Sequence, residues 1–442
     1  MYRLPAGSKP TKENIEKAVL YNLEFEEKLD NLANYYLGKH EILNRNRDNT
    51  KVNNKVVVNH AKYITDLNTG YLVGNPIEYL ATDDIDIENI KEKYKEQQID
   101  YVDHEIAKGM SKFGWSYDYS YLNPDSELRT VYIDPRKCII VFDDTFEKKP
   151  LFAVLYSKAE KTKVLGKTEY KYYNLFAVTE EEIINYDEDL KEGEHKKHNI
   201  GTFPVHLYLN NEEGLGDYEV VLRIIDAYNI LQSDRVNDKE QLVNAILVLK
   251  GVTMTEKLKK LLRDSRILSM PKDATAEFIS KSLDESQMDV LRKALKEEIH
   301  KISMTPDLAD ENFAGNNSGV AIKYKLFGFE MNTKNKERYM KKGLADRFHL
   351  YSLVLMKSQN PTTQKEVKPY QVQVVFKRRL PQNDFEMSQT ILNLDGKVSD
   401  ETLVSQLSFI EDAKKEAEWV KEEQTAKGNA DSPAFGTNTE NA

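Results

Sequence analysis

One stretch in the middle of the chain constrains the fold most. From Tyr218 to Leu249, apolar residues fall at Val220, Ile224, Ala227, Leu231, Leu242, Ala245 and Leu249 around a polar centre, Asp234 to Glu240. That spacing predicts a helix. Thirty-two residues make a rod of ~48 Å at 1.5 Å per residue, well beyond the usual ~10–14 residues of a globular helix. A rod of that length is built to span something.

The next segments read as a small insertion and a return. In residues 250–283, TEKLKKLLRDS predicts a basic helix, and RILSMP and AEFISKS predict strands. Residues 285–303 predict a second amphipathic helix. Residues 305–318 are polar and rich in Gly and Asn. A loop of that length inside a compact chain is functional or disordered. A second long helix is expected from Gly319 to Ser358, with apolar steps at Val320, Tyr324, Phe327 and Met331, then Leu344, Phe348, Tyr351 and Leu355. Gly328 and Gly343 are the expected bends.

The flanks differ. Residues 11–38, 86–112 and a segment through Ala61, Ile64, Leu67 and Leu72 predict helices, the last ending at Gly74–Pro76. Residues 115–210 hold short runs rich in Tyr, Val and Phe, such as WSYDYSYLN, CIIVFDD and FPVHLYLN. They predict a mainly antiparallel strand-rich section. Residues 369–380 alternate like a strand, 383–395 and 399–424 read as helices, and 425–442 as a disordered tail.

Candidate chemistry is thin. Gly166-Lys167-Thr168 lacks the glycine five residues earlier that a phosphate loop needs, since residue 161 is lysine. His195 and His198 sit among lysines and read as a charged loop. Asp83, Asp84 and Asp86 lack the Gly and Glu of a calcium loop. Gly315 to Gly319 puts serine in the wrong place for a nucleophile elbow. Cys138, the only cysteine, lies in an apolar run and reads as a buried structural thiol. Disulfides within the chain and multi-thiolate zinc sites are excluded. No catalytic, cofactor-binding or metal-binding residues are assigned.

Charge is uneven. The chain totals −10, which argues against a simple basic nucleic-acid binder and against bulk attraction to acidic membranes. Residues 250–380, however, carry 26 basic and 16 acidic side chains. No apolar run approaches the ~20 residues of a membrane span, so a soluble protein without a membrane partner is expected.

Four features in order carry a resemblance: LVGNPI (72–77), IIDAYNILQSDRVNDKEQLVNAILVLKG (224–251), GNNSGVAIKYKLFGFEM (315–331) and SDETLVSQLSFIEDAKKEAEWV (399–420). Over residues 10–424 the chain resembles the portal proteins of long-tailed double-stranded-DNA bacteriophages that infect Gram-positive bacteria. The resemblance implies an α+β, mainly α, portal-type fold that assembles as a dodecameric ring. Its regions would be a wing (1–216), a first stem helix (217–249), a clip (250–284), a second stem helix (285–303) and a tunnel loop (304–318). A bent wing helix and strand (319–382), a short crown (383–424) and a disordered tail (425–442) would complete it.

The implied function is a ring at the capsid vertex that conducts double-stranded DNA, unspecifically and sliding, in packaging and ejection. Implied partners are terminase, the major capsid or scaffolding protein, and a head-completion or adaptor protein. The implied locations are the virion and, during assembly, the host cytoplasm. No enzyme activity and no cofactor are implied. The tunnel-loop candidates facing DNA are Asp307, Asp310, Glu311, Asn312, Asn316, Asn317 and Ser318. Lys323, Lys325, Lys334, Lys336 and Arg338 are basic candidates for DNA or a partner, and Lys257, Lys259, Lys260 and Arg263 for a terminase-facing clip. The residues alone leave two alternatives: a nucleic-acid-processing enzyme whose metal site is not visible in sequence, and a head-assembly scaffold without a channel.

Overall fold

The computed structural model describes residues 1–47, 52–82, 85–164, 167–243, 246–251, 253, 255–256, 259–260, 273–279, 285–309, 319–358, 365–378, 384–394, 396–404, 407, 410 and 413–430. Its helices are α1 (Lys12–Leu23), α2 (Glu26–Tyr36), α3 (His60–Val73), α4 (Glu88–Glu96), α5 (Ile99–Phe113), α6 (Leu222–Val243), α7 (Glu285–Ile302), α8 (Gly319–Lys325), α9 (Phe327–Ser358), α10 (Asp384–Leu394), α11 (Asp400–Val404) and α12 (Ala413–Ala430). Its strands are β1 (Tyr2–Leu4), β2 (Glu78–Ala81), β3 (Trp115–Leu122), β4 (Leu128–Ile133), β5 (Cys138–Asp143), β6 (Pro150–Leu155), β7 (Lys158–Val164), β8 (Lys167–Tyr173), β9 (Leu175–Val178), β10 (Glu182–Tyr186), β11 (Glu192–Lys197), β12 (Val205–Leu209), β13 (Ile246–Lys250), β14 (Thr275–Ile279) and β15 (Val372–Val375).

The chain divides into two units, one of residues 1–306 and 329–376, the other of 307–328 and 377–442. In the first, layers stack as helix, sheet, sheet, helices. A six-stranded sheet of order β1-β5-β6-β9-β10-β11 is covered on one face by α1, where Ile15, Ala18 and Val19 meet Val141, Phe152 and Val154. Its other face packs on a three-stranded sheet, β12-β3-β4, through Ile140, Ala153, Tyr117, Tyr119 and Val205. Alternation along the tyrosine-rich strands supplies both faces. Helices α3, α4, α5 and α9 and the β2–β15 ribbon share a further core around Ile90, Ile106, Leu344 and Phe348. The second unit holds α8 and α10 to α12; Leu403 and Ala417 are buried there.

The strand-rich section is as expected and antiparallel throughout, except that β1 joins β5 in parallel. Several boundaries are corrected. The expected helix 11–38 is two helices with a break at Glu24–Phe25. The expected helix 86–112 is also two, parted where Gln98 adopts a left-handed conformation, φ 52°. The helix expected to reach Leu249 ends at Val243, because the apolar run from Ile246 to Lys250 pairs as a strand with Thr275–Ile279. The segment at His195 is strand β11 rather than a loop, with His195 between Glu182 and Glu192.

The long helix interrupts at Leu326, not at the two glycines. Gly343 lies within α9 against the Tyr208 ring, where an added Cβ would come within 2.6 Å of a ring carbon. Tyr324, Phe327 and Met331, three of the apolar steps expected along this helix, are 78%, 62% and 49% exposed. The segment 399–424 is broken after Val404, and α12 runs to Ala430, into the stretch read as tail. Asp83, Asp84 and Gly166 lie outside the described residues, and Lys167 and Thr168 belong to strand β8. Cys138 is fully buried, and burial pushes its thiol far above the usual range.

Candidate functional site

The long central helix is one arm of a hairpin. Helix α6 packs on α7, with Ile225, Tyr228 and Ile299 buried in one core with Leu29 and Leu32 of α2 and Ala61 and Ile64 of α3. Beyond α6 the chain enters the β13–β14 ribbon before α7 returns it. The hairpin leaves apolar side chains outward: Ile230 46%, Val236 42%, Val290 68% and Leu291 48% exposed.

Both feet of the hairpin are fixed by one buried polar network. Asp217 stands just before α6. Its Oδ2 accepts from Ser111 Oγ at 2.6 Å and Lys336 Nζ at 2.7 Å, and its Oδ1 accepts from Asn210 Nδ2 at 2.8 Å. Lys336 also donates to Asn68 Oδ1 on α3. The Asn68 amide donates in turn to Thr305 Oγ1, 2.9 Å away, just after α7. Tyr63 Oη donates to the Pro306 carbonyl at 3.0 Å. Burial pushes the Lys336 ammonium below its ordinary range, and the Asp217 carboxylate opposes that shift. A buried charge persists only when it is paired and hydrogen-bonded, and this one is.

A second buried charge locks α9 to the sheet. Arg347, fully buried, donates to Asp103 Oδ1 at 2.6 Å and Asp118 Oδ2 at 3.3 Å. Asp118 also accepts from Tyr208 Oη at 2.7 Å and pairs with His206 Nδ1 at 2.8 Å. Burial disfavours its charge, but His206 and Arg347 outweigh burial and hold the carboxyl below the usual range.

The sequence candidates fall in different places. Lys336, read as a cation facing DNA or a partner, is instead 3% exposed and neutralised by Asp217. Lys323, Lys325 and Arg338 are exposed, and Lys334 pairs with Glu330 at 3.6 Å. Asp307 is half-buried and accepts the Ala309 amide at 3.2 Å. Asp310, Glu311, Asn312, Asn316, Asn317 and Ser318 lie outside the described residues, as do Lys257 and Arg263. Lys259 pairs with Glu256 at 2.8 Å, and Lys260 is exposed. Asn68, Asp217 and Arg347 were not among the sequence candidates. A signal existed: Lys336 and Arg347 share the helical stripe of Phe329, Thr333, Met340, Tyr351 and Leu355, all buried.

Among the described residues no helix is long and apolar enough to cross a membrane, and no three His, Cys, Asp or Glu side chains group as metal ligands.

Known proteins resemble this chain over most of its length. The family model described as "Phage portal protein, SPP1 Gp6-like" matches residues 22–429. The portal protein of Bacillus phage SPP1 is 23% identical over 394 residues, covering 85% of this chain and 77% of that protein. A solved structure titled "Virion of native gene transfer agent (GTA) particle" aligns over 77% of this chain and 87% of its own, at 11% identity and a TM-score of 0.43. The family match defines a structural protein of a phage particle. The chain belongs to the SPP1 Gp6-like family of phage portal proteins, and a portal role in the virion follows from that membership.

Proposed function

We propose that about twelve copies of this chain form a ring at one capsid vertex. Double-stranded DNA enters through its axial channel during packaging and leaves through it at ejection. Terminase docks on the outer face during filling, and a head-completion or adaptor protein docks there afterwards; the major capsid or scaffolding protein surrounds the ring. In this reading α6 and α7 are the stem, the β13–β14 ribbon belongs to the clip, and residues 304–318 are the tunnel loop. Residues 1–216 and 319–382 form the wing, and α10 to α12 form a short crown.

The observation that carries the reading is the hairpin. It is tied at both feet by Asp217 and Thr305, and it presents Val236, Val290 and Leu291 to its surroundings. A monomer gains nothing from apolar residues held out on a rigid arm; a neighbouring copy would cover them.

Charge fits sliding. DNA affinity carried by many phosphate contacts depends steeply on salt, losing ~10³–10⁵-fold between 50 and 200 mM for 6–10 contacts. A ring lined by strong cations would therefore grip. With Lys336 internally neutralised, fewer of the basic residues remain for DNA, which suits a conduit. Mass photometry of the purified protein tests the ring. Particles of about twelve times the 51.1 kDa chain mass are expected, and monomers alone across a concentration series would refute it.

A further inference from the structure

The wing-side sandwich is open along one border. Two cavities, of about 260 and 370 Å³, lie there, and both are lined by Ile140, Phe142, Leu207 and Leu209. They therefore form one groove between the six-stranded and the three-stranded sheets. Leu207 and Leu209 belong to β12, and among the described residues β12 pairs only with β3. Its other edge offers main-chain N–H and C=O groups beside an apolar floor. An unpaired edge of this kind is ordinarily covered, charged or shortened.

The ends of the groove carry opposite charge. Glu212 and Glu213 stand past the C-terminal end of β12, in the smaller cavity. Lys148, Arg338 and Lys342 line the larger one, near the start of β12, together with Asp346 and with Glu147, which pairs with Lys149, so that end keeps a net positive charge. Glu212, Glu213, Lys148, Arg338 and Lys342 are exposed, and none of these is in an ion pair among the described residues. Lys342 is near enough to Asp346 to favour the ionised carboxylate, against the burial that pushes that group up.

We propose that this groove docks an extended strand of a partner protein, one with alternating apolar side chains, a basic end and an acidic end. The strand adds to the free edge of Val205–Leu209 and places every second side chain over Ile140 and Phe142. Main-chain bonds supply affinity, and the alternate side chains supply selection. Its basic end meets Glu212 and Glu213, and its acidic end meets Arg338 and Lys342. An antiparallel strand therefore reads basic to acidic from its N-terminus. A free edge selects extended backbone, and unpaired charges of both signs favour this occupant over nucleic acid, whose phosphates Glu212 and Glu213 would repel. The inference does not depend on the ring.

The probe is a fluorescein-labelled peptide, Lys-Lys-Val-Thr-Val-Thr-Val-Glu-Glu, titrated with the full-length protein by anisotropy. Saturable binding is expected, at least tenfold weaker for the same peptide with proline replacing its central valine. Arg338→Glu with Lys342→Glu, and separately Glu212→Lys with Glu213→Lys, change only surface charge and should each weaken binding several-fold. Leu207→Glu should abolish it. Equal binding of the proline peptide, or no effect of either charge reversal, overturns the proposal. A Leu207→Cys variant settles the remaining case, because Cys138 is buried and gives no background. Ready labelling of that thiol by a maleimide in the purified protein is expected. Protection there, lost on dissociation, would show a second copy of this chain in the groove and overturn the assignment to a partner.

Discussion

Lys336 Nζ lies 2.7 Å from Asp217 Oδ2, with both side chains only 4% exposed. The pair joins the middle of α9 to the residue that launches the first arm of the hairpin. Removing either partner leaves a buried group uncompensated, which costs ~3–5 kcal/mol where the pair is fully enclosed. The two removals should differ. Without Lys336, Asp217 keeps donors from Ser111 and Asn210. Without the Asp217 charge, the ammonium keeps Asn68 Oδ1 as an acceptor, which is neutral. Asp217→Asn should therefore destabilise more than Lys336→Met in urea unfolding. Losses below ~1 kcal/mol for both would show that the network holds nothing.

Two glycines inside helices should respond oppositely to alanine. Gly70 in α3 has open space where a Cβ would go, so Gly70→Ala should raise stability by ~0.5–1 kcal/mol through helix propensity and a more restricted unfolded chain. Gly343→Ala would drive a methyl into the Tyr208 ring, which is held to Asp118. Overpacking costs ~1–3 kcal/mol and exceeds the propensity gain. Thermal unfolding of both variants decides the matter, and two shifts of the same sign would contradict the packing described for Tyr208.

That contrast shows what the sequence could tell. Gly343 reads as a bend because a glycine inside a helical pattern has no visible neighbour; its neighbour lies on β12, far along the chain. Lys336 reads as a surface cation for the same reason, although its place on the apolar stripe is visible. The strands of the body were legible because alternating Tyr and Val report a half-buried pleat directly. The break at Gln98 was not, since neither Gly nor Pro marks it. The end of α6 was missed because Ile246–Lys250 is apolar enough for either element, and only its partner Thr275–Ile279 decides. The resemblance over four ordered segments supplied the family, which no single motif did.

Two histidines should make the fold acid-sensitive. His40 donates from Nε2 to the Tyr35 carbonyl at 3.0 Å and accepts at Nδ1 from the Asn229 amide at 2.8 Å. His198 likewise donates to the Thr179 carbonyl and accepts from the Ile200 amide. Both environments fit the neutral ring, and burial lowers both values below 6.5. Below pH 6.5 the unfolded chain binds protons that the folded one refuses, so stability falls as pH drops toward the folded values. Above 6.5 neither state is charged and the effect vanishes. Urea midpoints at pH 7.5, 6.5 and 5.5 should drop more steeply for the wild type than for His40→Gln with His198→Gln. Parallel curves would exclude these two rings as the cause.

The tunnel-loop proposal separates assembly from transport. Residues 312–317 come after the anchored foot at Thr305–Pro306, so their deletion leaves the Asn68 network in place. Rings should still form by mass photometry, while packaged DNA, measured as nuclease-protected length, falls to background. Normal filling by the deleted protein would remove the loop from the mechanism.

The outward face of the hairpin offers the sharpest separation of monomer folding from ring formation. Val290 and Leu291 on α7 are 68% and 48% exposed in one copy, so Glu at either position removes little intramolecular burial. Surface substitutions away from packed features usually change stability within ~0.5 kcal/mol. In a ring, the same positions would meet a neighbour, and a carboxylate buried there without a partner would be strongly disfavoured. Repeated around a closed ring, that cost recurs at every interface. Val290→Glu with Leu291→Glu should therefore leave the urea midpoint of the subunit nearly unchanged and shift mass photometry from rings to single chains. Lys293→Glu, a charge change on the same helix at a residue already 64% exposed and paired to Asp289 at 3.3 Å, serves as the comparison and should keep the rings. Intact rings in the doubly substituted protein would place the subunit interface elsewhere than on this arm.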